Sequence, residues 1–296
     1  MDRGMKVTVL GMGTMGSAIA ANLCRAGFTT TVWDRTPART APLEALGASV
    51  AARPDDAVAN AHIVITMLSD ANAVLSVLDQ QKTLDAFSPD AVWLQMGTIG
   101  LRGTDRLIAL TAARRPDVAF VDAPVAGSRQ PAEKGELLIL ASGPPRLEDA
   151  LQPVLDTIGR RTIWLGEAGR GTRLKLVLNS WLAFLMEGLA ETMTLADELG
   201  IAHDELLDAL EAGPLAAPAA IAKLHKIDAH DYEHEFALAW ALKDVDLALA
   251  SAANPSPALA AIAEQWRRAV AEGYGPLDVS AARLALGRRD GRTRIA

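Results

Sequence analysis

The sequence is poor in the residues that build several common kinds of site. Cys24 is its only cysteine, which excludes an intrachain disulfide scaffold and a zinc site made from several cysteines. Positive charge is not in excess either, because the formal net charge is −7. A chain of this charge is not expected to bind nucleic acid.

Long apolar runs are also missing. A helix that crosses a bilayer needs about 20 apolar residues in succession, and Asn179, Glu187 and Lys243 interrupt the apolar stretches before that length is reached. The opening "MDRGMKVTVLGMG" lacks the apolar core of a secretion signal. We therefore expect a cytoplasmic protein with no membrane contact.

One histidine pair has the spacing, but not the order, of a metal-binding motif. His230 and His234 stand four residues apart in "HDYEHEF", which lacks the H-E-x-x-H pattern. We expect solvated side chains here, and no metal.

Hydrophobic residues make up 50% of the chain, enough for two domains with separate cores. The first half alternates apolar, β-branched runs such as "KVTVLG" and "HIVITML" with Ala- and Leu-rich segments of helical spacing. This alternation indicates βαβ units, and hence an α/β domain with a Rossmann-type doubly wound parallel sheet. Helical patterns alone follow, at 170–199, 203–212, 236–253, 256–272 and 279–287. We predict an α/β domain at 1–165 and an all-α domain at 166–296.

A glycine motif follows the first predicted strand. Gly11, Gly13 and Gly16 form G-x-G-x-x-G between that strand and a predicted helix, and Asp34 ends the next strand. This context is typical of dinucleotide binding, where the glycines permit a tight turn and the close approach of a pyrophosphate to the backbone. The cofactor contacts predicted in the loop itself are Gly11, Met12, Gly13, Thr14, Met15 and Gly16.

The segment "WDRTPAR" bears on the choice between NADP and NAD. Asp34 is placed to accept the adenosine ribose hydroxyls of NAD, whereas Arg35, Thr36 and Arg39 could surround the 2′-phosphate of NADP. A solvated helix entry for the arginines, with Asp34 as a turn or cap residue, is the structural alternative. We favour NADP, with NAD as the other possibility.

A lysine and an asparagine stand one helical turn apart in the mostly apolar stretch "RLKLVLNSWLAF". Lys175 and Asn179 share a helix face, and a buried charge is costly unless it is paired or used. A positioned ammonium could stabilise negative charge on a carbonyl oxygen and then give up a proton. Alternatively, Lys175 could extend to the surface, or pair with Glu187 or Glu191.

Four stretches together resemble the β-hydroxyacid dehydrogenase family. They are "GMGTMGSAIAANL", "DAPVAGSRQPAEKGEL", "RGTRLKLVLN" and "FALAWALKDVDLAL", in the family's order and spacing. The resemblance implies an NAD(P)-dependent enzyme that interconverts a small aldehyde or 2-oxo acid and the hydroxy acid. It makes Lys175 the general acid/base and Asn179 its neighbour, and "GSRQPAEKGEL" is most similar to the glyoxylate/succinic semialdehyde branch.

The resemblance also implies further contacts. Ala126, Gly127 and Ser128 would bind the substrate, although the family usually has serine where this chain has Ala126. Trp240 would add an apolar wall to the substrate site, or it is simply a core residue. The remaining residues that resemble cofactor-contacting positions are Met67, Leu68, Thr98 and Lys243. For Lys243, a charge pair with Asp244 on a solvated face is the alternative.

Two other functions compete with this one. An imine reductase shares the overall plan, but commonly has Asp or Tyr at the position of Lys175. A non-catalytic cofactor-binding module would lose the lysine, whereas this chain keeps Lys175, Asn179 and Lys243. Because the helix predicted at 170–199 is too apolar to stand alone, we also expect a homodimer formed through the helical domain.

Overall fold

The computed structural model describes residues 4–288 and divides into two compact units, with the boundary between Lys175 and Leu176. That boundary lies inside one long helix, α8 (Arg170–Leu199), which starts in the first unit and ends in the second. The sequence places the change of pattern slightly earlier, near residue 165, where the strands end. Residues 289–296 of the predicted helical domain lie outside the described residues.

The first unit contains a six-stranded sheet in which every pairing is parallel. The strands are β1 (Lys6–Leu10), β2 (Thr29–Trp33), β3 (Ser49–Val50), β4 (Ile63–Thr66), β5 (Val92–Gln95) and β6 (Ala119–Asp122). Their spatial order is β3-β2-β1-β4-β5-β6, the order of a dinucleotide-binding sheet with a switch point between β1 and β4. The fold predicted for this half of the chain is confirmed.

Alternating residues of these strands enter two separate cores, one on each face of the sheet. In β4, Ile63 and Ile65 join one apolar cluster while Val64 joins the other, as the two-residue period of a strand requires. Helices cover both faces. Those of the first unit are α1 (Thr14–Arg25), α2 (Ala41–Glu44), α3 (Pro54–Val58), α4 (Ala71–Leu75), α5 (Leu101–Arg114), α6 (Arg129–Lys134) and α7 (Glu148–Ile158).

Three further strands form a second, smaller sheet that the sequence pattern does not separate from the first. These are β7 (Val125–Ala126), β8 (Leu137–Ala141) and β9 (Gly159–Trp164). β8 pairs with β7 antiparallel and with β9 parallel, so this sheet is mixed. The runs at 137–143 and 162–167 therefore extend a second sheet and not the predicted parallel one.

In the described part of the second unit, from Leu176, the regular secondary structure is helical apart from one isolated bridge between Ala237 and Asp278. One of its helices, α10 (Pro218–Asp228), was not predicted, because Pro and Ala around residue 215 mask its start. The last predicted helix is a 3₁₀ segment, Val279–Arg288. The helices after α8 are α9 (His203–Glu211), α10 (Pro218–Asp228), α11 (Leu238–Ser251) and α12 (Pro257–Ala269). None of the described helices has the length and apolarity that a membrane crossing requires.

Candidate functional site

The three glycines of the loop after β1 have different surroundings. A Cβ on Gly11 would lie 2.5 Å from the carbonyl oxygen of Met67, and one on Gly16 would lie 1.9 Å from that of Gly11. A Cβ on Gly13 would meet nothing within 4 Å. Gly11 and Gly16 are thus required by packing, whereas Gly13 borders open space where a ligand can approach the backbone.

This space lies at the start of α1. The helix begins at Thr14 and no side chain caps it, so first-turn N–H groups remain available to an anion. Met12 is buried, Met15 is half-buried and Thr14 is exposed. An open cradle at an uncapped helix start fits the pyrophosphate of a dinucleotide.

Asp34 ties the glycine loop to the turn after β2. Its Oδ2 accepts the backbone N–H of Met12 at 2.7 Å, and its Oδ1 accepts that of Thr36 at 2.7 Å. The Asp34 side chain is 9% exposed, whereas that of Arg39, 4.0 Å away, is 58% exposed. Arg35 is exposed as well. Asp34 therefore stabilises a turn, which is the alternative to ribose binding that the sequence left open. Both arginines face solvent.

The other predicted contacts of the first unit follow the carboxyl ends of its strands. Met67 and Leu68 come directly after β4 and pack against Gly11, at the switch point of the sheet. Thr98 follows β5 and is half-buried. The preceding residue, Gly97, accepts a hydrogen bond from the fully buried amide of Gln95 at 2.8 Å.

The segment predicted to bind substrate follows β6. Ala126 ends the short strand β7 and Gly127 has a positive φ of 139°. Ser128 comes next and precedes α6. Ala126 and Ser128 are half-buried and Gly127 is exposed, so backbone and hydroxyl groups of this loop are accessible.

Lys175 is 8% exposed in the first third of α8, which excludes the alternative that it extends to the surface. A pair with Glu187 is excluded too, because twelve residues of helical rise separate the two by about 18 Å. The indole N–H of Trp266 instead donates to Glu187 at 2.7 Å. Asn179, 7% exposed, lies one turn after Lys175 on the same face.

In the second unit, a buried carboxylate joins two of the predicted residues. Asn179 Nδ2 donates to Asp244 Oδ2 at 2.5 Å, and Lys243 Nζ lies 2.8 Å from Asp244 Oδ1. Asp244 is 4% exposed, so the Lys243 pair is not a surface pair. Sequence reasoning noticed Asp244 only as the neighbour of Lys243. The one available signal was an acidic residue inside the apolar helix α11.

The remaining predictions concern the second unit and metals. Trp240 is 48% exposed on α11, so it is not a core residue. His230 and His234 are both exposed. Within residues 4–288, no group of three His, Cys, Asp or Glu side chains could hold a metal ion.

Comparison with protein families gives two adjoining matches that together span nearly the whole chain. Residues 6–166 match the NAD binding domain of 6-phosphogluconate dehydrogenase. Residues 169–286 match a family described as NAD-binding of NADP-dependent 3-hydroxyisobutyrate dehydrogenase. The change from one match to the other falls between β9 and α8.

Individual proteins and solved structures are similar to this chain over nearly its whole length. Glyoxylate/succinic semialdehyde reductase 1 of Arabidopsis thaliana is 35% identical over 281 residues, which cover 94% of this chain and 96% of that protein. A structure of Mycobacterium tuberculosis 3-hydroxyisobutyrate dehydrogenase with L-serine has a TM-score of 0.87 and 26% identity, covering 96% of this chain and 99% of that one. An imine reductase from Aspergillus terreus has a TM-score of 0.63 and 26% identity, covering 94% and 98%.

Proposed function

Since the chain belongs to the 3-hydroxyisobutyrate dehydrogenase-like (β-hydroxyacid dehydrogenase) family of NAD(P)-dependent oxidoreductases, we propose that it interconverts a small aldehyde or 2-oxo acid and the corresponding hydroxy acid, with Lys175 as general acid and base. The observation that carries this proposal is the burial of the Lys175 side chain, which is 8% exposed, one turn before the buried Asn179. A buried ammonium is costly unless it is paired or used, and we assign it a use in proton transfer.

A nicotinamide held by the first unit would supply a hydride to the carbonyl carbon in reduction, or accept one from the hydroxyl-bearing carbon in oxidation. In the direction of reduction, the Lys175 ammonium stabilises the negative charge that develops on the carbonyl oxygen and donates a proton to it, leaving a neutral amine and a hydroxyl group. In the direction of oxidation, the neutral amine takes the hydroxyl proton. Asn179 commits Nδ2 to Asp244, so its Oδ1 is the end that can accept from an ammonium or a substrate hydroxyl.

For the substrate, we propose a small carboxylate-bearing carbonyl compound. The exposed backbone of Gly127 and the hydroxyl of Ser128 would bind the carboxylate. Ala126 contributes no hydroxyl, and the exposed indole of Trp240 offers an apolar surface. Two relatives with high coverage are named for glyoxylate and succinic semialdehyde, which supports this class.

We propose NADP as the preferred cofactor. Both carboxylate oxygens of Asp34 already accept backbone N–H groups, so this side chain is poorly placed to serve two ribose hydroxyls. Arg35, Thr36 and Arg39 are exposed directly after it and would hold a 2′-phosphate.

We also propose that two copies pair through the second unit. An exposed apolar stripe runs along α8, with Gly188 in its middle bordering open space. These positions recur every four or seven residues and so share one helix face, the pattern of a face that packs against another helix. The exposed fractions of the apolar residues are 64% for Val177, 60% for Trp181, 53% for Leu195 and 68% for Leu199.

The test is a turnover screen of wild type and Lys175→Ala with NADPH and NADH. The carbonyl substrates are glyoxylate, succinic semialdehyde, methylmalonate semialdehyde and tartronate semialdehyde, and a cyclic imine is the fifth compound. We expect carbonyl reduction that Lys175→Ala abolishes while NADPH still binds. Reduction of the imine alone would favour an imine reductase. Cofactor binding without any turnover would favour a non-catalytic module, and a Lys175→Ala variant with normal kcat would refute the role of Lys175.

A further inference from the structure

The first turn of α8 is held by two side chains from distant parts of the chain. The backbone N–H of Gly171 donates to Ser142 Oγ at 2.9 Å, and that of Thr172 donates to Asp122 Oδ2 at 2.7 Å. These N–H groups are among those that a helix start leaves without an internal partner. The residue before the helix, Gly169, has no side chain to cap it. The caps are therefore supplied by the carboxyl ends of β6 and β8.

Asp122 is fully buried and is surrounded by donors. Its Oδ1 accepts the Thr172 hydroxyl at 2.7 Å, and Ser142 Oγ lies 3.3 Å from its Oδ2. Because the Thr172 proton points to Asp122, the hydroxyl of Thr104, 3.1 Å from that of Thr172, donates to Thr172. Burial raises the pKa of the Asp122 carboxyl, and the hydrogen bonds from Thr172 and Ser142 oppose that shift. The whole arrangement lies within the first unit.

The same turn cannot move closer to the strands. A Cβ on Gly171 would lie 2.2 Å from the carbonyl oxygen of Leu140 and 2.9 Å from that of Asp122. Close packing fixes the turn from one side and the two caps hold it there. Lys175 follows Gly171 by four residues and Thr172 by three, so it lies on the same face one turn later. The place of this first turn therefore determines the place of the Lys175 backbone.

We propose that Asp122 and Thr172 are positioning residues for Lys175. They would act through Lys175, by fixing the helix turn that carries it. The inference rests on the proposed function for its catalytic consequence, but the placement of Lys175 can be measured without a substrate. A misplacement of about 1 Å at a reacting group can lower a rate about 100-fold.

Thr172→Val is the central variant, because it keeps the side-chain shape and removes the hydroxyl donor to Asp122. Thr172→Ser retains that donor and should restore wild-type behaviour. Thr8→Val is the matched control, since Thr8 is equally buried and its hydroxyl donates to the carbonyl of Ala57, at 2.6 Å. Should Thr172→Val fail to fold, Ser142→Ala removes the other cap and takes its place in the comparison.

The direct readout is the NMR resonance of Lys175 in protein labelled with ¹³C-lysine, identified by its loss in Lys175→Ala. We expect Thr172→Val to change the position and the titration midpoint of this resonance, Thr172→Ser to restore both, and Thr8→Val to change neither. A Lys175 resonance in folded Thr172→Val that matches wild type in both respects would overturn the proposal.

The kinetic readout uses NADPH with succinic semialdehyde and with glyoxylate. We expect kcat of Thr172→Val to fall about 10- to 100-fold, with KM for NADPH unchanged. If Lys175→Ala is inactive while Thr172→Val keeps the wild-type kcat, the positioning role is wrong and the proposed function stands. If Lys175→Ala turns over normally, the proposed function is wrong, and the resonance of Lys175 alone decides the positioning role.

Discussion

The side-chain amide of Asn179 donates a hydrogen bond to the buried carboxylate of Asp244, across 65 residues of sequence and at 2.5 Å. A carboxylate without a proton can only accept, so the partner end of the amide must be Nδ2. The contact therefore fixes which way the Asn179 amide faces, and joins α8 to α11 inside the second unit. The ammonium of Lys243 lies beside the other carboxylate oxygen, with Nζ 2.8 Å from Asp244 Oδ1.

Replacement of Asn179 by alanine should lower the stability of the second unit. The change leaves Asp244 buried with one donor fewer, which is expected to lower the free energy of unfolding by about 1–3 kcal/mol. Urea denaturation measures this, with Asn72→Ala as the matched control because Asn72 is exposed on α4. Equal losses in the two variants would show that the Asp244 contact contributes nothing to stability.

Two glycines of the same motif should respond in opposite ways to alanine. Gly13→Ala adds a methyl group to open space, so the thermal midpoint should stay near wild type while NADPH binding is lost. Gly16→Ala forces a Cβ against the carbonyl oxygen of Gly11 and should destabilise the first unit. Calorimetric NADPH binding and thermal denaturation separate the two effects. Undiminished NADPH affinity in Gly13→Ala would contradict the proposed pyrophosphate cradle.

Arg35→Ala should weaken NADPH binding much more than NADH binding. The guanidinium is exposed beside an Asp34 that is already satisfied by backbone N–H groups, and only NADPH has the 2′-phosphate to pair with it. A lost charged hydrogen bond corresponds to about 1.5–3 kcal/mol, or roughly 10- to 150-fold in Kd. Arg53→Ala removes the same charge from an arginine paired with Asp55, and should leave both affinities unchanged. Equal losses of affinity for the two cofactors would instead indicate that Asp34, and not Arg35, determines the cofactor preference.

Leu195→Glu should dissociate the proposed dimer. It puts a charge within the exposed stripe on α8, where burial against a second copy would be costly. Leu215→Glu is the control, because Leu215 is 76% exposed but lies between α9 and α10, away from that stripe. Sedimentation at micromolar concentration should give a dimer for wild type and the control, and a monomer for Leu195→Glu. A wild-type chain that sediments only as a monomer would refute the pairing.

The carboxyl of Glu187 should make the second unit less stable as pH rises. Burial raises its pKa from 4.5 to about 7, although the hydrogen bond from Trp266 opposes the shift. A group with a raised folded-state pKa contributes stability that is fully present below 4.5 and is lost as pH rises through about 7. The shift corresponds to about 3 kcal/mol at most.

Glu187→Gln should remove this part of the pH dependence and leave the rest. Unfolding free energies of wild type and Glu187→Gln between pH 5 and pH 8 should converge at the acidic end and favour the variant at the alkaline end. Glu264→Gln is the control, since Glu187 and Glu264 both line a groove between α8 and α12, but the side chain of Glu264 is 62% exposed. Parallel pH profiles for wild type and Glu187→Gln would show that Glu187 titrates normally.

The sequence was sufficient for the parts of the fold that have a local signal. The period of the apolar residues predicts the βαβ units, and the glycine motif predicts the loop at Gly11 because strand, turn and helix lie within 20 residues of each other. The second sheet could not be separated, because an apolar run such as that of β8 has the same pattern in either sheet. The start of α10 was hidden by Pro218, a residue that indicates a break but also suits the first turn of a helix.

Lys175 and Asn179 could be selected from sequence because their spacing places them on one helix face. Asp244 and Asp122 could not be assigned a role, because their partners are 65 and 50 residues away and no spacing rule connects them. The exposure of Trp240 could not be predicted either, since an aromatic residue in an apolar helix is compatible with a core position and with a wall of the substrate site. The roles and the exposure of these residues depend on long-range contacts, which no sequence motif indicates.

The capping of α8 by Asp122 and Ser142 has a consequence for the order of folding. A helix start is costly to nucleate on its own, and here its caps exist only after β6 and the end of β8 have come together through the bridge between Asp122 and Ser142. We therefore expect the first turn of α8 to become fixed only after these two strands have met. Lys175 would then be among the last groups of its unit to become ordered, and a partly folded chain would have its nucleotide-binding strands in place before its amine is positioned.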